Sequence, residues 1–171
     1  MSRQVKTWSR QYEASKTEEI ESMDKVMDWL PRNIPQQMGV SVVHGDFRVD
    51  NLIFDENDPS KVKAVLDWEL STLGDPLSDA AYGCMAHHIP SDFKMLRGMA
   101  GLDLKSLGIP SDKEYLKDYC KNMNIEPVET WNFYLSFAFF RIAAILQGVY
   151  KRSLQSKLLF LQKMYLLHLS F

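Results

Sequence analysis

Residues 41–55 read SVVHGDFRVDNLIFD and set His44, Asp46, Asp50, Asn51 and Asp55 between two apolar runs. A solvated turn would explain loose acids, but the spacing His44-x-Asp46-x-x-x-x-Asn51 arises by composition in only about one chain of this length in a hundred. The runs on either side, GVSVV and NLIFD, are short and rich in β-branched or aromatic residues. A third run, KVKAVLDW, follows the turn-forming ENDPS. The expected order is strand, polar loop, strand, turn, strand.

Outside this core of strands the chain reads as helix. Ser15-x-x-Glu18 has the form of a capping box, with Ile20, Met23, Met27 and Leu30 following at helical spacing until Pro31. The preceding MSRQVKTWSRQYEASK lacks the apolar segment of a secretory signal. It is basic and acid-poor, faintly like a mitochondrial transit peptide, and reads better as an amphipathic helix of the fold. Asp75 is placed to cap a helix with Pro76 at its first position, and Ser111-x-x-Glu114 forms a second capping box. Residues 128–150 are apolar on nearly all sides, which predicts a central buried helix in which Arg141 requires a partner. Asn132, Ser136, Arg141 and Gln147 interrupt that run and argue against a membrane span.

The 171 residues are nearly half apolar and a quarter charged, enough for one sizeable core. A net charge of −2 with scattered bases offers no field for nucleic acid or an anionic membrane. Cys84 and Cys120 lack metal-site spacing and read as buried thiols in a reducing, intracellular compartment.

Between Val40 and Tyr82, nine acids (Asp46, Asp50, Asp55, Glu56, Asp58, Asp67, Glu69, Asp75, Asp79) face three bases (Arg48, Lys61, Lys63). Such a cluster calls for cations. Asp46, Asn51 and Asp67 lie where strands meet loops, and oxygen donors of this kind suit Mg²⁺ shared with phosphates. Neighbouring strands about 5 Å apart would let such residues converge. Phosphoryl transfer uses this set: one aspartate for the attacking hydroxyl, an asparagine and a second aspartate for the metal. Arg48 and Asp50 face substrate or solvent, with solvent favoured. His87 and His88 lack a matching carboxylate spacing for a metal.

HGDFRVDN followed by VLDWE resembles the catalytic loop and metal-binding segment of the aminoglycoside phosphotransferase and choline kinase-like family, relatives of protein kinases. LDWELSTLGDPLSDAAY and WNFYLSFAFFRIAAILQGVYKRS resemble the branch fused to acyl-CoA dehydrogenases. The resemblance covers residues 3 to about 153. It implies an α+β, mostly helical fold: the C-terminal lobe of a protein-kinase-like domain, whose small strand element carries the catalytic loop. It further implies Asp46 as catalytic base, Asn51 as a magnesium ligand, and Asp67 as the aspartate binding Mg²⁺ between the phosphates of ATP. His44 would brace the loop. From their own positions, Asp75 and Asp79 read as cap and loop anchors in preference to metal ligands.

A kinase of this type also needs a phosphate-covering glycine-rich loop and a strand lysine paired with a helix glutamate. No G-x-G-x-x-G occurs in the 171 residues, and GMAG at 98–101 is too short to replace one. By the resemblance, residue 3 falls inside a full-length kinase, after its nucleotide lobe. Residues 1–153 are therefore expected to form a truncated lobe, inactive alone, and residues 154–171 a divergent apolar tail. The phosphate acceptor would be a small-molecule hydroxyl, a hydroxyacyl compound if the dehydrogenase fusion is the guide. The setting would be cytoplasmic, mitochondrial or peroxisomal. Two other readings stay open: a non-catalytic scaffold, and a metal-dependent phosphoesterase with water as nucleophile.

Overall fold

A computed structural model describes residues 1–94, 96–126 and 128–168. The chain forms two compact units, one of Ile34–Phe139 and the other of Ser2–Asn33 with the chain from Phe140 onward.

The second unit begins with α1 (Ser2–Ser15), which buries Val5 and Tyr12, two turns apart on one stripe. Ser15 is not the helix start that its capping-box spacing suggests. It ends α1, where its hydroxyl donates back to the carbonyls of Gln11 (2.9 Å) and Tyr12 (3.0 Å). Serine competes for backbone groups at either end of a helix, and here the carbonyls win. The next helix, α2 (Glu21–Arg32), is capped by Ile20 without a side-chain bond, and Pro31 lies inside its last turn. A proline there costs little because the chain leaves the helix at once, with the Asn33 N–H turning back to the Leu30 carbonyl.

The long helix α5 (Trp131–His168) supplies the rest of this unit with its later half. Gln147 donates to the Ser15 carbonyl (3.2 Å) and Lys151 to that of Ala14 (2.7 Å), satisfying carbonyls that the end of α1 leaves open. Phe140 meets Tyr12 edge-on at 6.1 Å. The guanidinium of the buried Arg141 sits 5.1 Å over the Trp8 ring, a face that favours a cation.

The first unit holds four short strands. β1 (Ser41–Val43) pairs antiparallel with β4 (Thr72–Gly74), and β2 (Leu52–Phe54) pairs antiparallel with β3 (Val62–Val65). Two separate two-stranded sheets, one the β2–β3 hairpin and the other closed by the distant β1–β4 pair, thus replace the three successive strands expected from sequence. β1 and β2 are not neighbours, so the polar loop between them, not adjacent strand ends, must bring its own residues together. A 3₁₀ turn (Val49–Asn51) closes that loop, and another (Trp68–Leu70) joins β3 to β4.

α3 (Leu77–Cys84) follows β4 directly and is almost wholly buried along one side through Leu77, Ala80, Ala81 and Cys84. α4 (Asp112–Met123) opens with the capping box seen in the sequence, Ser111 and Glu114 bonding each other's backbone N–H. The first half of α5 contributes Trp131, Phe133, Tyr134, Phe137 and Ala138 to the core. By length and composition alone, Trp131–Leu158 could cross a membrane. Its first turns are consumed by packing instead. Cys84 and Cys120 are buried free thiols.

Candidate active site

The loop that leaves β1 turns sharply at Gly45, whose φ of +86° lies in the left-handed region. A Cβ there would stand 2.6 Å from the Leu70 carbonyl oxygen, so only glycine fits. The turn is held from below by Asp79 on α3, which accepts the N–H groups of His44 (2.5 Å) and Gly45 (2.9 Å). Asp75 is fully buried and accepts both the Leu77 N–H (3.1 Å) and the Tyr134 hydroxyl (2.9 Å). That arrangement caps α3 and ties it to α5. Burial, and then the bond to Asp75, push the Tyr134 hydroxyl well above its ordinary range.

His44 is buried, and both of its ring nitrogens are used. The Asp46 N–H donates to Nδ1 (3.2 Å), which must therefore carry no proton. Nε2–H then donates to the Leu66 carbonyl (2.7 Å). One neutral imidazole thus links the loop of Asp46 to the residue preceding Asp67. The ring is packed by Trp68, 4.7 Å between centroids, and edge-on by Phe47 at 6.0 Å.

Asn51 closes the loop. Its Nδ2 donates to the Asp46 carbonyl (2.8 Å) and to Asp46 Oδ2 (3.1 Å), bonds that leave Asn51 Oδ1 unused. The Asn51 carbonyl in turn accepts the Leu66 N–H (2.8 Å). The segments carrying Asp46, Asn51 and Asp67 are therefore joined by direct hydrogen bonds through Leu66 and His44. Asp67 itself adopts a left-handed backbone (φ 64°, ψ 56°) at the start of its 3₁₀ turn, a conformation that aspartate tolerates better than most residues. Its side chain is exposed.

Among the described residues, no three His, Cys, Asp or Glu side chains gather closely enough to hold a metal by themselves. His87 and His88 bond elsewhere, His87 to the Pro110 carbonyl (2.9 Å) and His88 to Asp112 (3.0 Å). Three contributors were not evident in the sequence: Gly45, Trp68 and the Leu66 carbonyl. The motif fixes side chains, whereas these act through backbone geometry and ring packing. The tryptophan following Asp67 was the only available signal.

Residues 1–113 match the phosphotransferase enzyme family. The chain belongs to that family. It is 56% identical over 152 residues to mouse acyl-CoA dehydrogenase family member 10, covering 89% of this chain and 14% of that protein. Rat acyl-CoA dehydrogenase family member 11 is 42% identical over 154 residues, covering 89% of this chain and 20% of the relative. The crystal structure of a proposed aminoglycoside phosphotransferase from Ralstonia eutropha JMP134 superposes with a TM-score of 0.82 at 51% identity, covering 90% of this chain and 46% of that one. The chain therefore spans between about a seventh and a fifth of these two curated relatives. The mixed helix and strand architecture is shared with the matched part of that crystal structure, and the family resemblance read from the sequence holds.

Proposed function

We propose that these residues form the acceptor and metal side of an ATP-dependent kinase that phosphorylates a small-molecule hydroxyl. Asp46 orients the hydroxyl and takes its proton as the oxygen bonds to the terminal phosphorus of ATP and the bond to ADP breaks. In a loose transition state this task is mostly positional, so an ordinary carboxylate suffices. Asn51 holds one Asp46 oxygen, leaving the other for the acceptor. Asn51 Oδ1 and the Asp67 carboxylate are hard oxygen donors, and a site of one or two such groups completed by phosphates is what Mg²⁺ accepts. The donor set thus fits the ion, although the described residues form no protein-only cage. When bound, Mg²⁺ supplies neutralisation of the phosphate charge.

The observation that supports this reading best is the His44 bridge. It fixes the segment of the acceptor-side carboxylate relative to that of the metal-side carboxylate, and phosphoryl transfer depends on such positioning. The hydroxyacyl character of the acceptor is proposed from the acyl-CoA dehydrogenase family relatives.

The test uses this chain, alone and joined to the nucleotide lobe of a family kinase. Asp46→Asn should cut turnover by several orders of magnitude with ATP binding nearly intact, whereas Asp67→Ala should abolish Mg²⁺-dependent ATP binding in calorimetry. Reversal of the two phenotypes refutes the roles. Phosphate release without nucleotide would favour a phosphoesterase, and neither activity would favour a scaffold.

A further inference from the structure

Arg48 lies two residues from Asp46, on the loop that the proposed reaction uses; its carbonyl accepts the Asn51 N–H (3.0 Å), whereas its side chain bonds the exposed Asp50. Its Nε donates to Asp50 Oδ2 at 3.0 Å, and a second guanidinium nitrogen bonds the same oxygen. Both donors therefore fall on one oxygen, in place of the two-oxygen fork that a committed arginine–carboxylate pair adopts. Both partners are solvent-exposed, at 43% and 71% of their side-chain surface. Exposed pairs of this kind contribute little, so the guanidinium can leave Asp50 for a ligand at small cost.

The charge balance gives that departure a purpose. Of the three bases between Val40 and Tyr82, Lys61 is held by Asp58 (2.9 Å) and Lys63 by Asp55 (3.1 Å), both at the far turn of the β2–β3 hairpin. Arg48 is the remaining one, and its charge is supported first by Asp50 and also by Asp46. A neutral acceptor needs no such cation. An acceptor with its own negative charge would be repelled by the surrounding acids unless a cation met it on Asp46's side.

We infer that Arg48 is a specificity-determining residue that binds an anionic group, carboxylate or phosphate, on the acceptor, a few bonds from the hydroxyl that is phosphorylated. Arg48 exchanges Asp50 for that group when the acceptor binds. The inference rests on the kinase reading and narrows its substrate class to hydroxylated anions.

The experiment compares hydroxybutanoate isomers with their amides, and glycerol phosphate with glycerol, as acceptors for this chain joined to the nucleotide lobe of a family kinase. The wild type should favour the anion in kcat/KM by about tenfold or more for at least one isomer pair or for the phosphate pair, as one charge-assisted bond would give. Arg48→Met should collapse that ratio toward one through KM, and Arg48→Lys should retain part of it. Asp50→Asn, which frees the guanidinium, should lower KM for the anion. An unchanged ratio in Arg48→Met, or an equal loss for anion and neutral partner, overturns the inference. If no acceptor is phosphorylated, the kinase reading fails, and binding of the same pairs by ligand-detected NMR decides the role of Arg48. Anion preference that vanishes in Arg48→Met then supports it, and preference that persists or never appears overturns it.

Discussion

Removal of the Asp79 carboxylate should release the catalytic loop. In Asp79→Ala, the N–H groups of His44 and Gly45, now bonded at 2.5 and 2.9 Å, lose their acceptor within a buried turn. A buried donor left unpaired costs about 1–3 kcal/mol, so two cost about 2–6 kcal/mol. Water entering the vacated space lowers this toward about 3 kcal/mol. For a chain of this length such a loss moves the thermal midpoint by about 6–12 °C. Asp79→Asn keeps one acceptor oxygen and turns an NH₂ toward the other donor, so its loss should be roughly half. Urea unfolding followed by tryptophan fluorescence gives the total. Amide hydrogen exchange gives the place, since the His44 and Gly45 amides should lose protection well before those of α4. A loss below about 1 kcal/mol in Asp79→Ala, or unchanged protection at those two amides, would show that the loop stands without its clamp.

Gly45→Ala should destabilise the chain by about 2 kcal/mol or more, because it combines a left-handed backbone with a Cβ 2.6 Å from the Leu70 oxygen; a neutral result in thermal unfolding would refute that geometry. Stability should fall as pH rises from about 9 to about 12. Burial holds the Cys84 thiol, ordinarily near 9.0, up at about 12, and the Tyr119 hydroxyl, ordinarily near 10.0, also at about 12. The unfolded chain therefore loses these protons first, and the stabilisation present below pH 9 disappears as pH climbs through that window. Urea midpoints that stay flat from pH 8 to 11 would contradict it. Arg141→Met should be tolerated better than Arg141→Ala, since Met keeps the volume of the stem packed near Trp8. Equal, large losses in both would show that charge outweighs packing.

The residues of the candidate site could be found in the sequence because their spacing within one loop is local. His44, Asp46 and Asn51 sit within eight positions, and Asp67 follows a recognisable β-branched run. The pairing that supports them could not be found so easily. β4 is three residues long, Thr72–Gly74, with Leu73 exposed, and it is a strand only because β1 lies beside it. Local propensity has no term for such a partner. Asp79 reaches back across 34 and 35 residues to two amides: a loop-anchor role is expected of it, but LSDAAY does not name the amides it anchors. Ser15 and Ser111 share one spacing pattern, yet only Ser111 caps. The difference lies in what precedes each: α1 already occupies the turns before Ser15, whereas Ser111 follows the loop around Gly108 and Pro110.

The use of both ring nitrogens of His44 sets an unusual mutational boundary. The residue at this position must accept from one backbone N–H and donate to one backbone carbonyl in opposite directions, from inside a buried space. A one-base change in a histidine codon yields Tyr, Asn, Asp, Gln, Leu, Pro or Arg. Leu and Pro offer neither bond, Arg cannot accept, and ionised Asp cannot donate. Tyr carries both capacities on a single oxygen at the wrong distance. Asn is too short to span the gap, and Gln must freeze an extra torsion to do so. Every single-step neighbour therefore uncouples the two loops at least in part, and the way back from such a change runs through the same codon.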